Sequence, residues 1–177
     1  MTEPLNLSYS SISTYKECPL RWKFQYIDKI KVEEPPQRSL MFGSSVHKAV
    51  NGFYTKGDKT LDCLLGFWEE SYKKEYYNDS FPLLSTYEMA ADHEEGKLQL
   101  SNLYRWQQNE GLIDCQFRSE LEFSMPINDI SVNLRGVIDG IFYNGKGIQI
   151  VDYKTGMKKY SKSDVDSNDQ LTSYSLY

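Results

Sequence analysis

The hydrophobic pattern of this chain changes its period near Gly111, and this change limits the fold more than any other feature of the sequence. Before it, apolar residues recur at helical spacing in residues 42–54 and 61–72, and a third long helix is predicted from Thr86 to about Gln108. After it, apolar and polar residues alternate over residues 117–125, which is the spacing of a strand. The pattern predicts helices first and a sheet second, in an α/β or α+β chain whose helices pack on the sheet.

The strand at residues 117–125 begins a predicted meander of three strands. Residues 132–138 and 147–154 are the other two strands, because apolar positions recur there at strand spacing. Asn144-Gly145-Lys146-Gly147 is a tight-turn sequence that joins them, and Asn128-Asp129 marks a turn before the second strand. We therefore expect a small mixed sheet flanked by helices.

The two ends of the chain are predicted to be helical. Residues 7–27 form short N-terminal helices, with Ser10 as an N-cap and Pro19 in the first turn of a second helix. Residues 168–177 form a last helix. Because the pattern of this helix runs to the final residue, we expect the natural chain to continue past Tyr177.

The composition is that of one globular domain. A chain of 177 residues, of which 40% are hydrophobic and 14% aromatic, can bury a core, so we expect a single domain over residues 1–177. No stretch has the roughly 18 apolar residues of a membrane span, and the first residues lack a signal-peptide pattern. Cys18, Cys63 and Cys115 lie too far apart for a disulfide framework or a zinc site, which predicts reduced thiols and a cytoplasmic location.

The charge balance limits how this chain can hold a partner. Basic residues number 20 and acidic residues 25, so the formal net charge is -5. A protein that holds nucleic acid by bulk electrostatics is usually basic. If nucleic acid is the partner, a local basic patch or residues outside this chain must supply the positive charge that binds it.

Charged residues interrupt the apolar pattern at the end of the third predicted strand. Side chains alternate along a strand, so Asp152 and Lys154 are expected on the same face as the apolar Ile150. An apolar face that ends in an aspartate and a lysine breaks the binary pattern, and such breaks gather at functional sites. Asp139 is expected at the matching end of the neighbouring strand, within reach of Asp152. The sequence thus predicts that two carboxylates and an ammonium converge at one edge of the sheet.

Two carboxylates beside an ammonium suit the hydrolysis of a phosphodiester bond. That reaction needs a divalent cation to polarise the phosphoryl oxygen and activate water, and Mg²⁺ binds through one or two carboxylates with several waters. Lys154 would orient the water or stabilise the developing charge, and His47 would add a nitrogen ligand that favours Mn²⁺. The competing interpretation is a surface ion pair between Asp152 and Lys154, with His47 as an ordinary hydrogen-bonded helix residue.

The surrounding motifs carry a family resemblance. Asp139 followed by Asp152-Tyr153-Lys154 resembles the core of the PD-(D/E)XK nucleases. The segments from Leu7 to Trp22, from Phe42 to His47 and from Gln170 to Tyr174 are similar to the flanking motifs of the RecB-like exonuclease branch. Each motif alone is weak, but together they follow the family's order and span nearly the whole chain.

The resemblance implies a restriction-endonuclease-like core and a defined site. The implied ligands of Mg²⁺ or Mn²⁺ are the side chains of His47, Asp139 and Asp152, with the Val151 carbonyl as a further ligand. Lys154 is the implied catalytic lysine. Gln170 and Tyr174 are implied to position the water or the scissile phosphate. Gln170 and Tyr174 are one helical turn apart, so they are expected on one face of the last helix.

Some members of this branch hold an iron–sulfur cluster through one early cysteine and three cysteines after the last helix. Cys18 matches the early position, but no cysteine follows Cys115. The resemblance therefore implies that this chain alone cannot complete an iron–sulfur cluster.

The expected activity is that of a Mg²⁺- or Mn²⁺-dependent deoxyribonuclease. The resemblance implies exonuclease action on DNA ends with single-stranded DNA favoured, in DNA repair, recombination or CRISPR-type processing. A helicase or another repair or CRISPR protein is the implied partner, and both a monomer and an oligomer fit the sequence. The alternative is a catalytically silent nucleic-acid-binding domain of a larger helicase–nuclease assembly. An unrelated interaction domain would require the ordered motifs to be a coincidence.

Overall fold

The computed structural model of the chain describes residues 4–32, 37–56, 58–77, 84–127, 130–156 and 160–175. In chain order, its elements are β1 (Leu5–Leu7), α1 (Tyr9–Glu17), α2 (Pro19–Trp22), a π-helical turn (Lys23–Ile27), α3 (Arg38–Lys56), α4 (Leu61–Tyr76), α5 (Thr86–Asn109), β2 (Gln116–Ile127), β3 (Val132–Tyr143), β4 (Ile148–Val151), α6 (Lys162–Asp166) and α7 (Asp169–Tyr174). The three long helices precede β2, β3 and β4, as the change in hydrophobic period predicts. The expected mixed α/β fold class is confirmed.

Strand β3 is the central strand of a four-stranded sheet. Strand β2 is its neighbour, while β1 and β4 pair with its first and second halves. β1 runs parallel to β3, with Leu5 opposite Val132, and β4 runs antiparallel, with Gly140 opposite Val151. The sheet is therefore mixed, and β2, β3 and β4 are neighbours as the predicted meander requires.

The first strand is absent from the sequence prediction, which starts a helix at residue 7. Leu5–Leu7 is too short to show an alternating pattern, and its conformation depends on pairing with β3, far along the chain. Helix α1 begins at Tyr9, because the Ser8 hydroxyl accepts a hydrogen bond from the Ser11 backbone N–H at 3.2 Å. The N-cap is therefore Ser8, and the prediction of Ser10 is wrong.

The second N-terminal helix begins as predicted. Pro19 lies in the first turn of α2, where its missing N–H costs nothing. Cys18 is the N-cap, since its Sγ accepts a hydrogen bond from the Arg21 backbone N–H at 3.5 Å. The thiol is exposed, and none of the three cysteines forms a disulfide.

Helices α3 and α4 run further than their apolar spacing predicts. Helix α3 begins at Arg38 rather than at Phe42, because the Arg38 guanidinium forms a bidentate ion pair with Asp92 of α5, with two N–O distances of 2.8 Å. Helix α4 continues to Tyr76, whose hydroxyl donates to the same carboxylate at 2.8 Å. Contacts with Asp92 therefore stabilise the additional residues of both helices. Apolar spacing cannot predict these residues, because the contacts are polar and join distant parts of the chain.

The chain forms two compact units. The first consists of described residues within Met1–Glu34, Glu120–Ile138 and Lys159–Tyr177, and the second of described residues within Pro35–Ser119 and Asp139–Lys158. In the second unit, the Tyr54 ring of α3 packs against Phe117 of β2 and Phe142 of β3, with centroid distances of 4.1 and 5.3 Å. The buried core of this unit consists of Met41, Phe42, Val46, Ala49, Val50, Phe53, Leu64, Trp68, Tyr72, Tyr76, Leu100 and Ile113.

Gly96 of α5 lies against the fully buried Trp68, and this contact can be tested. A Cβ at Gly96 would be 2.1 Å from the nearest indole carbon, whereas a Cβ at Gly66 of α4 would meet no atom within 4 Å. We expect Gly96→Ala to lower the free energy of unfolding by about 1–3 kcal/mol, because Trp68 must move. Gly66→Ala should raise it by about 0.5–1 kcal/mol, because alanine favours the helix. Urea unfolding measures both, and equal effects at the two glycines would contradict this packing.

The strands that carry the acidic residues differ from the prediction at their ends. Strand β3 continues past Asp139, so this residue lies inside the strand rather than at its end. Strand β4 ends at Val151, so Asp152 and Lys154 follow the strand and do not share a face through strand alternation. The pairing stops there because the Tyr153 backbone N–H donates to the Asp139 carboxylate at 2.8 Å, instead of to a strand partner.

The turn between β3 and β4 is the predicted one. Gly145 has a φ of 75°, which glycine adopts without strain. The Asn144 Oδ1 accepts hydrogen bonds from the backbone N–H groups of Lys146 and Gly147 at 3.0 and 3.1 Å. This turn explains why β4 starts directly opposite the end of β3, with Ile148 paired with Tyr143.

Parts of two sequence predictions lie outside the described residues: the turn at Asn128-Asp129 and the last two residues of the C-terminal helix. In the described part, that helix is α7, which ends at Tyr174. Within the described ranges, no helix combines the length and the apolar composition that crossing a bilayer requires.

Candidate active site

Asp139 of β3 is the central acidic residue of the candidate site. Its side chain is 17% exposed. Burial raises the pKa of the Asp139 carboxyl above its usual range, and the nearby Asp152 raises it further. His47, the Tyr153 backbone N–H and Lys154 act in the opposite direction, but burial has the largest effect. A half-buried carboxylate with a second carboxylate nearby is stabilised by a cation, so this position suits cation binding.

His47 of α3 contacts Asp139 from the helical side of the second unit. Its Nδ1 lies 3.6 Å from Asp139 Oδ1, and its Nε2 lies 3.0 Å from the Tyr153 carbonyl oxygen. Because a carbonyl only accepts, this geometry places the ring hydrogen on Nε2. The remaining nitrogen, Nδ1, is the one nearer the carboxylate.

Asp152 and Lys154 form an ion pair directly after β4. Lys154 Nζ lies 2.7 Å from Asp152 Oδ2. The Asp152 side chain is 8% exposed and that of Lys154 is 41% exposed, so the carboxylate lies inside and the lysine reaches solvent. Asp152 raises the pKa of Asp139 and Lys154 lowers it, and all three residues belong to the second unit with His47.

Tyr153 is the site residue that the sequence reasoning missed. Its backbone N–H donates to Asp139 Oδ2 at 2.8 Å and its carbonyl accepts from His47, so it contacts two of the predicted ligands. The available sequence signal was its position between Asp152 and Lys154: a large aromatic side chain between two charged residues is expected to face the core.

The donor set matches the needs of a divalent cation in part. His47 Nδ1 and Asp139 Oδ1 face each other at 3.6 Å, and a proton on the imidazole or a cation between the two groups would satisfy both. Nevertheless, within the described ranges no three His, Cys, Asp or Glu side chains lie close enough to hold a metal ion together. Asp152 is instead paired with Lys154, at 2.7 Å between Oδ2 and Nζ.

Three further residues, Val151, Gln170 and Tyr174, were predicted for the site. Val151, whose carbonyl the resemblance implies as a ligand, ends β4 opposite Gly140. Gln170 and Tyr174 belong to the first unit, where Gln170 Nε2 donates to the Tyr174 hydroxyl at 2.6 Å, as expected for one face of α7. The buried Tyr174 donates in turn to the Val137 carbonyl at 2.8 Å.

Comparison with known proteins identifies the family. A family model described as the PD-(D/E)XK nuclease superfamily matches residues 6–177. The chain belongs to the PD-(D/E)XK nuclease superfamily. Among curated proteins, none matched this PD-(D/E)XK chain. Its four-stranded mixed sheet and helices are consistent with the restriction-endonuclease-like fold.

Membership in the PD-(D/E)XK superfamily gives the cluster a chemical context. Its members are nucleases, so the substrate class is nucleic acid, and they generally use divalent metals such as Mg²⁺. The resemblance carried by Asp139 and Asp152-Tyr153-Lys154 is confirmed at the level of the superfamily.

Proposed function

We propose that this PD-(D/E)XK chain is a metal-dependent deoxyribonuclease that hydrolyses the phosphodiester bonds of DNA. The observation that carries the proposal is the half-buried Asp139 carboxylate, which has His47 beside it and the Asp152–Lys154 ion pair within electrostatic range. Carboxylate and imidazole groups supply donors for a divalent cation, and the ammonium supplies positive charge for a phosphate.

The proposed ligands of Mg²⁺ or Mn²⁺ are His47, Asp139 and Asp152, with the Val151 carbonyl as a further ligand. A divalent cation held by these residues would supply Lewis-acid chemistry, which polarises a phosphoryl oxygen and activates a water. Lys154 is exposed enough to contact a phosphate oxygen and to stabilise the negative charge that develops during attack. Separation of Lys154 from Asp152 would free the carboxylate for the cation and the ammonium for the phosphate.

Gln170 and Tyr174 are proposed to position the attacking water or the scissile phosphate. Their support is the resemblance of the last helix to the closing motif of the RecB-like branch. The hydrogen bond between the two side chains also agrees with a joint role, because it orients the Gln170 amide.

We further place the chain in the RecB-like exonuclease branch, with single-stranded DNA or DNA ends as its substrate in repair, recombination or CRISPR-type processing. The support is the order of the motifs from Leu7 to Tyr174. The net charge of -5 supports a helicase or another DNA-binding partner, or an oligomer, that supplies further grip on DNA. Three free cysteines support a cytoplasmic location.

A cleavage assay on end-labelled single- and double-stranded DNA, with Mn²⁺, Mg²⁺ or EDTA, tests this proposal. We expect cutting with either metal, no cutting in EDTA, and products that shorten from one end, with single-stranded DNA cut faster. Cutting in EDTA would contradict metal dependence. Internal products from a DNA circle would contradict the exonuclease mode.

The second candidate function is a catalytically silent nucleic-acid-binding domain of a larger helicase–nuclease assembly. Two observations favour it: Asp152 is paired with Lys154, and the described residues contain no group of three His, Cys, Asp or Glu side chains that could hold a metal ion. The same assay separates the two candidates, because a silent domain would retard DNA in a gel with Mn²⁺ present and leave it uncut.

A further inference from the structure

Tyr153 connects two proposed metal ligands through its backbone. Its N–H donates to Asp139 Oδ2 at 2.8 Å, and its carbonyl oxygen lies 3.0 Å from His47 Nε2. The rings of Tyr153 and His47 also meet edge to face, with their centroids 6.0 Å apart. A shift of the Tyr153 backbone would therefore displace both the N–H that bonds to Asp139 and the carbonyl that bonds to His47.

The other end of Tyr153 is anchored in the core of the second unit. Burial raises the pKa of its hydroxyl, which stays neutral, and Gln107 Nε2 of α5 lies 3.4 Å from the hydroxyl oxygen. The hydroxyl also lies near Gly140, the residue that follows Asp139, where an added Cβ would be 3.3 Å from the Tyr153 hydroxyl oxygen. The backbone of Tyr153 is thus bonded to Asp139 and His47, and its hydroxyl to Gln107 of α5.

Gln107 is a destabilising side chain at its position in α5. Its side chain is fully buried at 1% exposure, and its Oε1 has no hydrogen-bond partner within the described part of the chain. A buried amide oxygen without a partner destabilises a fold, and an apolar side chain of similar volume does not carry this cost. Packing therefore does not explain a glutamine here, whereas a bond to Tyr153 does.

We propose that Gln107 and Tyr153 are a positioning pair for the metal site: Gln107 holds the Tyr153 hydroxyl, and Tyr153 holds Asp139 and His47 in the geometry that binds the cation. The inference rests on the proposed function, because it concerns the same site. Both side chains act through other residues in this inference, and neither is a proposed metal ligand. Residues that orient metal ligands change metal affinity or activity by about 10–100-fold when they are replaced.

The test uses Gln107→Leu, Tyr153→Phe and the double variant, with Gln108→Leu as the matched control. Gln108 is the next residue of α5 and is exposed. Three quantities are measured on the full chain: the Mn²⁺ affinity by calorimetry, kcat and KM on single-stranded DNA, and the melting temperature. The affinity is read without cleavage, so it reports on the ligands alone.

We expect Gln107→Leu to lower both the Mn²⁺ affinity and kcat by about 10–100-fold, with KM for DNA unchanged. The melting temperature should stay close to that of the wild type, because removal of the unpaired Oε1 offsets the loss of the bond to the Tyr153 hydroxyl. Tyr153→Phe should lower the melting temperature, because both atoms of the buried Gln107 amide then lack partners. The double variant should regain the melting temperature but not the Mn²⁺ affinity. Gln108→Leu should change none of the three.

Two results would overturn the inference. One is wild-type Mn²⁺ affinity in Gln107→Leu, and the other is an affinity that falls only where the melting temperature falls, which is the sign of a purely structural role. A wild type that binds Mn²⁺ without cutting DNA would refute the nuclease proposal, while the affinities of the variants would still decide the inference. A wild type that binds no Mn²⁺ would overturn both.

Discussion

Lys154→Ala is expected to lower kcat for DNA cleavage by about 10²–10³-fold, the effect of removing one group that stabilises the charge of a transition state. The side chain is 41% exposed and lies 2.7 Å from Asp152, so it can exchange a carboxylate for a phosphate oxygen without entering the core. The Mn²⁺ affinity should stay the same or rise, because the ammonium no longer competes for Asp152. Single-turnover cleavage at saturating Mn²⁺ and calorimetry measure the two effects.

Lys146→Ala is the control for this variant. Lys146 lies in the turn between β3 and β4, in the same compact unit, and its replacement removes the same charge from an exposed position. We expect wild-type cleavage and Mn²⁺ affinity. Equal rates for the Lys154 and Lys146 variants would contradict a catalytic role for Lys154.

Asp139→Asn is expected to abolish Mn²⁺ binding, to lower cleavage at least about 10²-fold, and to raise the melting temperature of the metal-free protein. Burial raises the pKa of this carboxyl, so folding disfavours its charged form. The amide has the same shape and still accepts the hydrogen bond of the Tyr153 N–H, while the charge is removed. Calorimetry measures the loss of Mn²⁺ binding, and thermal unfolding in EDTA measures the rise in melting temperature.

Asp114→Asn is the matched control, because Asp114 is an exposed aspartate in the same unit. Neither its Mn²⁺ affinity nor its melting temperature should change. A lower melting temperature for Asp139→Asn would show that His47 and Lys154 stabilise the charged carboxylate more than burial destabilises it. That result would remove the physical reason for placing a cation at Asp139.

The long elements of the fold could be predicted because each carries a repeated pattern. Helix α5 was expected from Thr86 to about Gln108 and extends over Thr86–Asn109. Strand β2 was expected over residues 117–125 and extends over Gln116–Ile127. Over such lengths, the side-chain period reports directly on which face is buried.

Short elements escaped prediction because local pattern does not stabilise them. Strand β1 has three residues and exists through its pairing with β3. Helix α6, Lys162–Asp166, shows no apolar period, and its start is defined by a capping box between Ser161 and Asp164. Helix α3 reaches Arg38 because of an ion pair with a distant helix.

The candidate site was predicted by a partly wrong route. The structure pairs His47 with Asp139 at 3.6 Å and Lys154 with Asp152 at 2.7 Å, while their joint role in one metal site stays a prediction. The expected cause was alternation along one strand, but β4 ends at Val151. The residues converge because Tyr153 bonds to Asp139 and His47 while its ring enters the core.

The sequence by itself determined the fold class, the order of helices and strands, and the motif that places the chain among the PD-(D/E)XK nucleases, because these depend on residue types and spacings within short segments. Only the tertiary structure decided where the strands end, how far the side chains of Asp139 and Asp152 are exposed, and that Gln107 of α5 meets Tyr153. Those features depend on groups far apart in the chain, and burial and hydrogen bonding between such groups arise only when the chain has folded.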